Sequence, residues 1–425
     1  MTNQALFSFI AACPTPYQAI AHTAKQLQDA GFLPLCENTA WSLTPGQGYY
    51  VTRNGSSLIA FRVPEKWEGF LITASHCDSP CFKIKENAEL RGSAYVQLST
   101  EKYGGMLLST WLDRPLSIAG RVMVRTASGL RMQAVDLGAP TAIIPNLAIH
   151  MNRKANEGVA INPAVDMLPL ICTSGDSWNF RSRIAECANI SEEDILSTDL
   201  FLYNPQPGAA WEDLIAAPRL DDLQCAFGAL QGFLQAESAE SAQVYCLFDN
   251  EEVGSRTKQG AASTFLSDTL HRIAQAYQAD YRSSIASSFM VSCDNAHAVH
   301  PNHPEFADKN HAPVLNGGVV IKFNANQSYT SDAVSTAIFR LICERASVPF
   351  QFYANRADLP GGSTLGNIAN TQVSLNTVDI GLAQLAMHSA FETAGAKDTA
   401  HLIAALKTFY ESPLRMAADG SYQLL

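Results

Sequence analysis

Five stretches of this chain place metal-binding side chains where one structural element gives way to another. His76 and Asp78 follow the apolar run 69–75, and Asp221-Asp222 opens the amphipathic stretch 220–235. Glu251-Glu252 comes just after the apolar run 244–248 and Asp249-Asn250. Asp294 ends the apolar run 289–293, and His388 lies near the carboxyl end of the chain. Imidazole nitrogen and carboxylate oxygen, with no cysteine needed, are the donors that suit zinc. Asp78, two residues beyond His76, could accept the second ring N–H of a metal-bound histidine and so orient it.

Each stretch has an ordinary reading when taken alone. His76-x-Asp78 is also what a surface histidine and a turn aspartate look like. A carboxylate at 221 or 222 could cap its helix. Glu251-Glu252 could be a solvated acidic loop, and His388 a structural histidine. Three carboxylates packed at one strand end are nevertheless unfavourable unless a cation or solvent compensates. In open α/β sheets ligands bind beyond the carboxyl ends of the strands. The ordered series of strand-end His, helix-start Asp, strand-end Glu-Glu, strand-end Asp and late His therefore predicts one site. One of the two aspartates 221 and 222 would bridge two metals. His297, His300 and His303 follow Asp294 and are further candidates for metal contact. The run Pro360-Gly361-Gly362-Ser363-Thr364-Leu365-Gly366 lacks the lysine and spacing of a phosphate-binding loop. Its glycines Gly361 and Gly362 suit close backbone approach to a substrate.

The elements that must position these residues fall into two kinds. Helical spacing marks residues 1–13, with Leu6, Phe9, Ile10 and Cys13 on one face, and residues 17–30, ended by Gly31. Strands are expected at 48–52, 57–62 and 69–75. From about residue 215 strands and helices alternate. Strands are expected at 244–248, 289–293 and 319–323, and helices at 220–235, 331–346, 384–394 and 399–410. That alternation predicts a sheet covered on both faces. Between them the character changes to short β-like runs with glycine turns, including a hairpin at 121–126 and 130–137. The prediction is a mixed-sheet, three-layer α/β/α catalytic domain made of residues 1–88 and 213–425, with an inserted β-rich domain at 89–212.

The bulk numbers bound the function. The chain has 425 residues, 47% hydrophobic and 16% charged, with a net charge of −11. Phosphate binding needs clustered positive charge, so nucleic acid is excluded as the main partner. No apolar run is long enough to span a membrane, and residues 1–13 lack the basic start of a signal peptide. Ten cysteines without a C-x-x-C pair read as reduced thiols and a cytoplasmic location.

Over roughly residues 5–415 the sequence resembles the aspartyl aminopeptidase family of zinc metallopeptidases (metallopeptidase family 18). The resemblance is carried by His76-Cys77-Asp78-Ser79-Pro80, Tyr103-Gly104-Gly105, Trp111-Leu112-Asp113-Arg114-Pro115 and His150-Met151-Asn152-Arg153. It continues through Pro218-Arg219-Leu220-Asp221, Asp249-Asn250-Glu251-Glu252-Val253-Gly254, Ser292-Cys293-Asp294, Ala296-His297-Ala298-Val299-His300-Pro301-Asn302 and Met387-His388-Ser389.

The resemblance implies a two-zinc aminopeptidase, with cobalt or manganese as alternative metals. His76 and Asp294 would hold one zinc, Glu252 and His388 the other, and Asp221 rather than Asp222 would bridge them. Glu251 would be the general base, and Asp78 the residue that positions the ligands. His150 matches a position that reaches an active site in a neighbouring subunit. The inserted domain would build dimers that assemble into a dodecamer. Substrates would be peptides with a free N-terminus, the family name pointing to acidic first residues. The stretch 324–329 carries no basic residue to receive such a side chain, which leaves Lys322, Arg219 and Arg356. The competing expectations are a neutral or broad-specificity aminopeptidase, a two-metal deacylase of small acyl-amino acids, and a non-enzymatic protein that kept the fold.

Overall fold

The structure is a computed structural model that describes residues 1–173, 178–237 and 240–425. Its largest sheet has thirteen strands. At its centre, strand Ala242–Phe248 runs parallel to Phe70–His76, which is parallel to Phe289–Cys293, which is parallel to Asn376–Leu385. Ser57–Arg62 and Val319–Phe323 pair antiparallel on either side of this group. The central strands are continuous runs of buried residues, because both faces are covered.

Alternation within those runs sorts the side chains between two cores. Leu71, Tyr245, Leu247 and Val291 join the helices Thr2–Ala12, Pro16–Asp29, Leu220–Gln235, Ala333–Arg345 and Asp398–Tyr410 on one face. Ile72, Ala74, Val244, Cys246 and Met290 join Phe265–Ala276 and Leu365–Ala369 on the other. The result is the expected three-layer α/β/α arrangement on a mixed sheet. Leu220–Gln235 lies close against Asp398–Tyr410. A Cβ on Gly228 would come within 2.6 Å of Leu402, and one on Gly232 within 2.9 Å of Leu406. No helix among the described residues is long and apolar enough to cross a membrane.

A second sheet of seven strands is formed between Cys81 and Tyr203. Ile195–Tyr203 pairs with both Cys81–Arg91 and Pro115–Thr126, and this closes six of the strands into a ring. The ring encloses its own core, which includes Phe82, Ile84, Leu98, Trp111, Ile118, Val122 and Leu200. The expected hairpin is present as Pro115–Thr126 and Gly129–Asp136. Gln18 fastens the ring to the first unit by donating to the carbonyls of Gly120 at 2.9 Å and Val135 at 2.8 Å. Arg121 donates to the Asn54 carbonyl at 2.7 Å and lies 4.4 Å over the Tyr17 ring.

One expected element is corrected. Residues 384–394 are not a helix. Gln384 and Leu385 finish strand Asn376–Leu385, Ala386 and His388 take left-handed backbone angles (φ 57° and 66°), and Glu392–Gly395 returns as an antiparallel strand. Leu, Ala and Met favour helix locally, but strand pairing on both sides of Asn376–Leu385 outweighs that preference.

Candidate metal centre

The four adjacent parallel strands all deliver a metal-binding group just beyond their carboxyl ends. His76 is the last residue of Phe70–His76 and pairs in register with Phe248. Phe248 leads through Asp249 and Asn250 into the short turn Glu251–Val253. Asp294 follows Phe289–Cys293 directly, with its N–H donated to the Ile380 carbonyl at 3.0 Å. His388 sits in the turn after Asn376–Leu385. Asp221 comes from the opposite direction, at the start of helix Leu220–Gln235.

Two overlapping clusters result, His76 with Asp221 and Asp294, and Asp221 with Glu252 and His388; within each, the donor atoms lie within 4.8 Å of one another. His76 Nε2 is 3.6 Å from Asp221 Oδ1 and 3.9 Å from Asp294 Oδ1. His388 Nε2 is 3.3 Å from Asp221 Oδ2 and 3.4 Å from Glu252 Oε2. Donors bound tetrahedrally to zinc at about 2.0–2.1 Å stand about 3.3 Å apart, so these spacings fit an ion held between the groups. The two Asp221 oxygens face different histidines, the arrangement a bridging carboxylate requires. Asp221 Oδ1, Glu252 Oε1 and Asp222 Oδ1 are buried with no hydrogen-bond partner, and such oxygens are costly unless a cation compensates. Asp222 stands outside both clusters and accepts the His76 backbone N–H at 3.2 Å.

Hydrogen bonds around the clusters aim the donors. His76 Nδ1 lies 3.0 Å from the Asp78 carbonyl and 3.4 Å from Asp78 Oδ1, which keeps that nitrogen protonated and turns the Nε2 lone pair toward the cluster. Asp78 also accepts the backbone N–H groups of Glu251 and Glu252, both at 3.1 Å. His388 Nδ1 is fixed in the same way by the Gly105 carbonyl at 2.8 Å. Glu392 accepts the backbone N–H of Asp221 at 3.0 Å and of His388 at 2.7 Å. Lys322 Nζ donates to the Asp294 carbonyl at 2.8 Å and lies 3.4 Å from its carboxylate.

The ring sheet reaches into this network. The Tyr103 hydroxyl donates to Asp78 Oδ2 at 2.8 Å and accepts from the Asn250 amide at 2.8 Å. Gly104, at φ 77°, packs so closely that a Cβ there would come within 3.2 Å of Glu252 Cβ. The Tyr103-Gly104-Gly105 motif therefore supports Asp78, Glu252 and His388 together.

The electrostatics of the protein groups alone are those of a crowded acidic site. Burial, more than neighbouring charge, pushes Glu251 up to about 8, Glu392 up to about 8 and Asp249 up to about 7. Glu252 and Asp222 are raised by the same cause. Burial opposes charging of His388 as well, yet Asp221 and Glu252 carry it up to about 10. For Asp221 the two imidazoles outweigh burial and hold the carboxyl well below its usual range.

Above the clusters lies a cleft of about 180 Å³, lined by Glu251, Lys322, Tyr329, Tyr353, Gly362 and Thr364 together with the cluster residues. His297 lines this cleft and also a neighbouring recess of about 310 Å³, where His300, His303 and Gly361 lie. None of these three histidines joins a metal-ligand cluster among the described residues. His150 is exposed on a turn and does not line the cleft. Arg356 pairs with Asp358 at the surface, and Arg219 donates to the Asn204 and Ile10 carbonyls, so of the three cations considered only Lys322 faces the cleft. Reading the sequence alone left Tyr103, Gly105 and Glu392 without roles. The Tyr-Gly-Gly motif was a signal for the first two. Glu392 had only its place four residues beyond His388.

The family model described as "Aminopeptidase I zinc metalloprotease (M18)" matches residues 9–410. A "Probable M18 family aminopeptidase 2" of Pseudomonas paraeruginosa is 42% identical over 422 residues, covering 96% of this chain and 98% of its own. One of the same description from Clostridium acetobutylicum is also 42% identical, covering 95% and 97%. Among solved structures, the cryo-EM structure of the Ape4 and Nbr1 complex contains a chain with a TM-score of 0.92 and 34% identity, covering 96% of this chain and 85% of that one. The mApe1 dodecamer of S. cerevisiae superposes with a TM-score of 0.84 at 28% identity, covering 96% of this chain and 95% of that one. The chain belongs to the M18 family of zinc metallopeptidases and is a metallo-aminopeptidase, a peptide hydrolase.

Proposed function

We propose that the protein is a two-zinc aminopeptidase that removes the N-terminal residue of peptides at this cleft. His76 and Asp294 hold one ion, Glu252 and His388 the other, and Asp221 joins them. The observation that carries this reading is the pair of overlapping clusters sharing the Asp221 carboxylate, whose two oxygens face His76 and His388. Zinc supplies Lewis acidity to such a site, making water a nucleophile at neutral pH and polarising a peptide carbonyl; cobalt or manganese would serve the same donors.

Glu251 lines the cleft beside the clusters and acts as general base, taking a proton from the attacking water and passing it to the departing amine. Asp78 positions this base: its carboxylate accepts the Glu251 N–H while its other contacts orient His76. The carboxylates around the cleft receive the substrate's free ammonium group, which confines cutting to the first residue. Gly361 and Gly362 let the substrate backbone approach the wall closely, and His150 completes a neighbouring subunit's cleft.

In this reading the expected division into residues 1–88 with 213–425 as catalytic domain and 89–212 as the inserted domain that builds dimers holds except at its first boundary, which moves to Cys81 because strand Cys81–Arg91 belongs to the ring. The protein assembles as a homododecamer, as the S. cerevisiae relative's structure is described, and works in the cytoplasm. Lys322 gives acidic first residues a partner, although its ammonium group is already engaged by Asp294.

A panel of Asp-, Glu-, Leu-, Lys- and Ala-peptides, each with free and N-acetylated termini, tests the reading. Cleavage of free termini only is expected. Equal or faster cleavage of acetylated substrates would replace it with a deacylase, and the rank order among free termini decides between acidic and broad specificity.

A further inference from the structure

We infer that Asp379, a buried carboxylate outside the metal clusters, is a positioning residue that holds two cleft-wall loops in register for binding the substrate's N-terminal residue. The inference rests on the aminopeptidase reading above. Asp379 is fully buried in strand Asn376–Leu385, paired in register with Ser292, two residues before Asp294. Its two oxygens face two different loops. Oδ2 accepts the backbone N–H of Thr330 at 2.6 Å and its hydroxyl at 2.7 Å. Oδ1 accepts the hydroxyl of Thr364 at 2.8 Å. The Ser331 hydroxyl adds a third tie by accepting the Asp379 N–H at 3.0 Å.

Both loops end in the cleft. Tyr329, next to Thr330, lies under the Lys322 ammonium group with its ring 5.2 Å from Nζ, and it lines the cleft. Thr364 itself lines the cleft together with Gly362 and Ser363 of the same run. The helix Leu365–Ala369 that follows this loop is drawn so close to the carboxylate that a Cβ on Gly366 would fall 2.9 Å from Asp379 Oδ1 and 2.8 Å from Ser292 Cβ. One buried carboxylate thus sets the spacing between the Tyr329 wall and the glycine-rich wall. Glu251, Glu252, His76, Asp221 and His388 are held by a network centred on Asp78 and Glu392, while Asp294 is tied by the Ile380 carbonyl and Lys322 rather than by the Asp379 carboxylate. Loosening Asp379 should therefore act on substrate binding before it acts on chemistry.

The test compares Asp379→Asn, Thr364→Val, Thr364→Ser and the Asp379→Asn/Thr364→Val double variant with the wild type. It measures KM, kcat, zinc content and Tm on a free aminoacyl substrate. Losing a hydrogen bond to a charged group corresponds to about tenfold in affinity. The expected result is a KM raised about tenfold in Asp379→Asn, with zinc content unchanged and kcat within about threefold. Thr364→Val should raise KM, Thr364→Ser should restore it, and the double variant should fall short of the product of the singles because the two residues share one bond. A lowered Tm with KM unchanged in an active background would make Asp379 merely structural and overturn the inference. Should Asp379→Asn fail to fold, the Thr364→Val and Thr364→Ser pair decides alone: equal KM values overturn it. A wild type that leaves free N-termini uncut, with acetylated substrates cleaved, overturns the aminopeptidase reading and takes this inference with it.

Discussion

The thirteen-stranded sheet and the ring closed by six strands of the second sheet solve different problems with similar local materials. In the first, four parallel strands end side by side, and each carboxyl end presents a polar group to one point: His76, the Glu251–Glu252 turn, Asp294 and His388. In the ring, antiparallel strands close on themselves around an apolar core. Its polar contacts with the centre include Tyr103, Gly105 and Leu107, the last donating its N–H to the His388 carbonyl. Parallel strands share a direction, so their ends converge; antiparallel neighbours send alternate ends apart. Metal-binding groups therefore gather where strand direction is shared, while the ring supports and orients them.

If that contrast is right, substitutions should sort by where they fall. The largest effect is expected at Asp221, the only residue common to both clusters. Asp221→Ala should lower the zinc content of the purified protein and leave no measurable peptidase activity. Glu251→Gln should come next, with zinc and fold retained and turnover reduced about 10²–10⁴-fold, the usual range for a general base. Near-normal kcat in that variant would remove Glu251 from its role. Tyr103→Phe probes the ring's reach: loss of the hydroxyl that Asp78 accepts should cost about 10–100-fold in activity or metal affinity, as changes in ligand-orienting groups do. An unaffected Tyr103→Phe would confine the site to the first sheet.

The smallest expected effect lies inside the ring and should spare activity altogether. Asp199 pairs with Lys83 and with Arg121, each at 2.9 Å. Burial alone would raise its carboxyl, but these two cations outweigh it and hold the group below its ordinary 3.8. A depressed carboxyl stabilises the fold at pH values above its unfolded pKa and loses that contribution as pH falls through the folded value. Melting curves of wild type and Asp199→Asn should therefore differ by a constant amount above about pH 5 and converge below pH 3.8. Peptidase activity at neutral pH should be the same in both. A difference in melting temperature that did not shrink at all as pH fell below 3.8 would mean that packing, not charge, gives Asp199 its role.

How much of this was readable in the residues follows the same division. Strands 244–248, 289–293 and 319–323 were legible because strands buried on both faces are mainly apolar runs, here interrupted only by Ser292 and Lys322. Their ends marked the site residues in turn. The ligand set gained meaning only as a series, since His76 or Asp294 alone looks like any strand-end polar residue. The turn carrying His388 was misread as helix, because Leu385, Ala386 and Met387 favour helix and only pairing with distant strands reveals the true element. Glu392 and Asp379 were invisible for a related reason. Each is a lone buried carboxylate whose partners, such as Asp221 and Thr330, lie 171 and 49 residues away in sequence. No local pattern encodes such pairs.

The central claim is that Asp221 bridges two metal ions in one cleft. Its most direct test is the zinc content per chain of protein purified without added chelator, measured by inductively coupled plasma mass spectrometry before and after saturation with zinc. Two tightly held ions per chain are expected at saturation in the wild type. Saturation at a single ion per chain, in protein that is fully active, would contradict it.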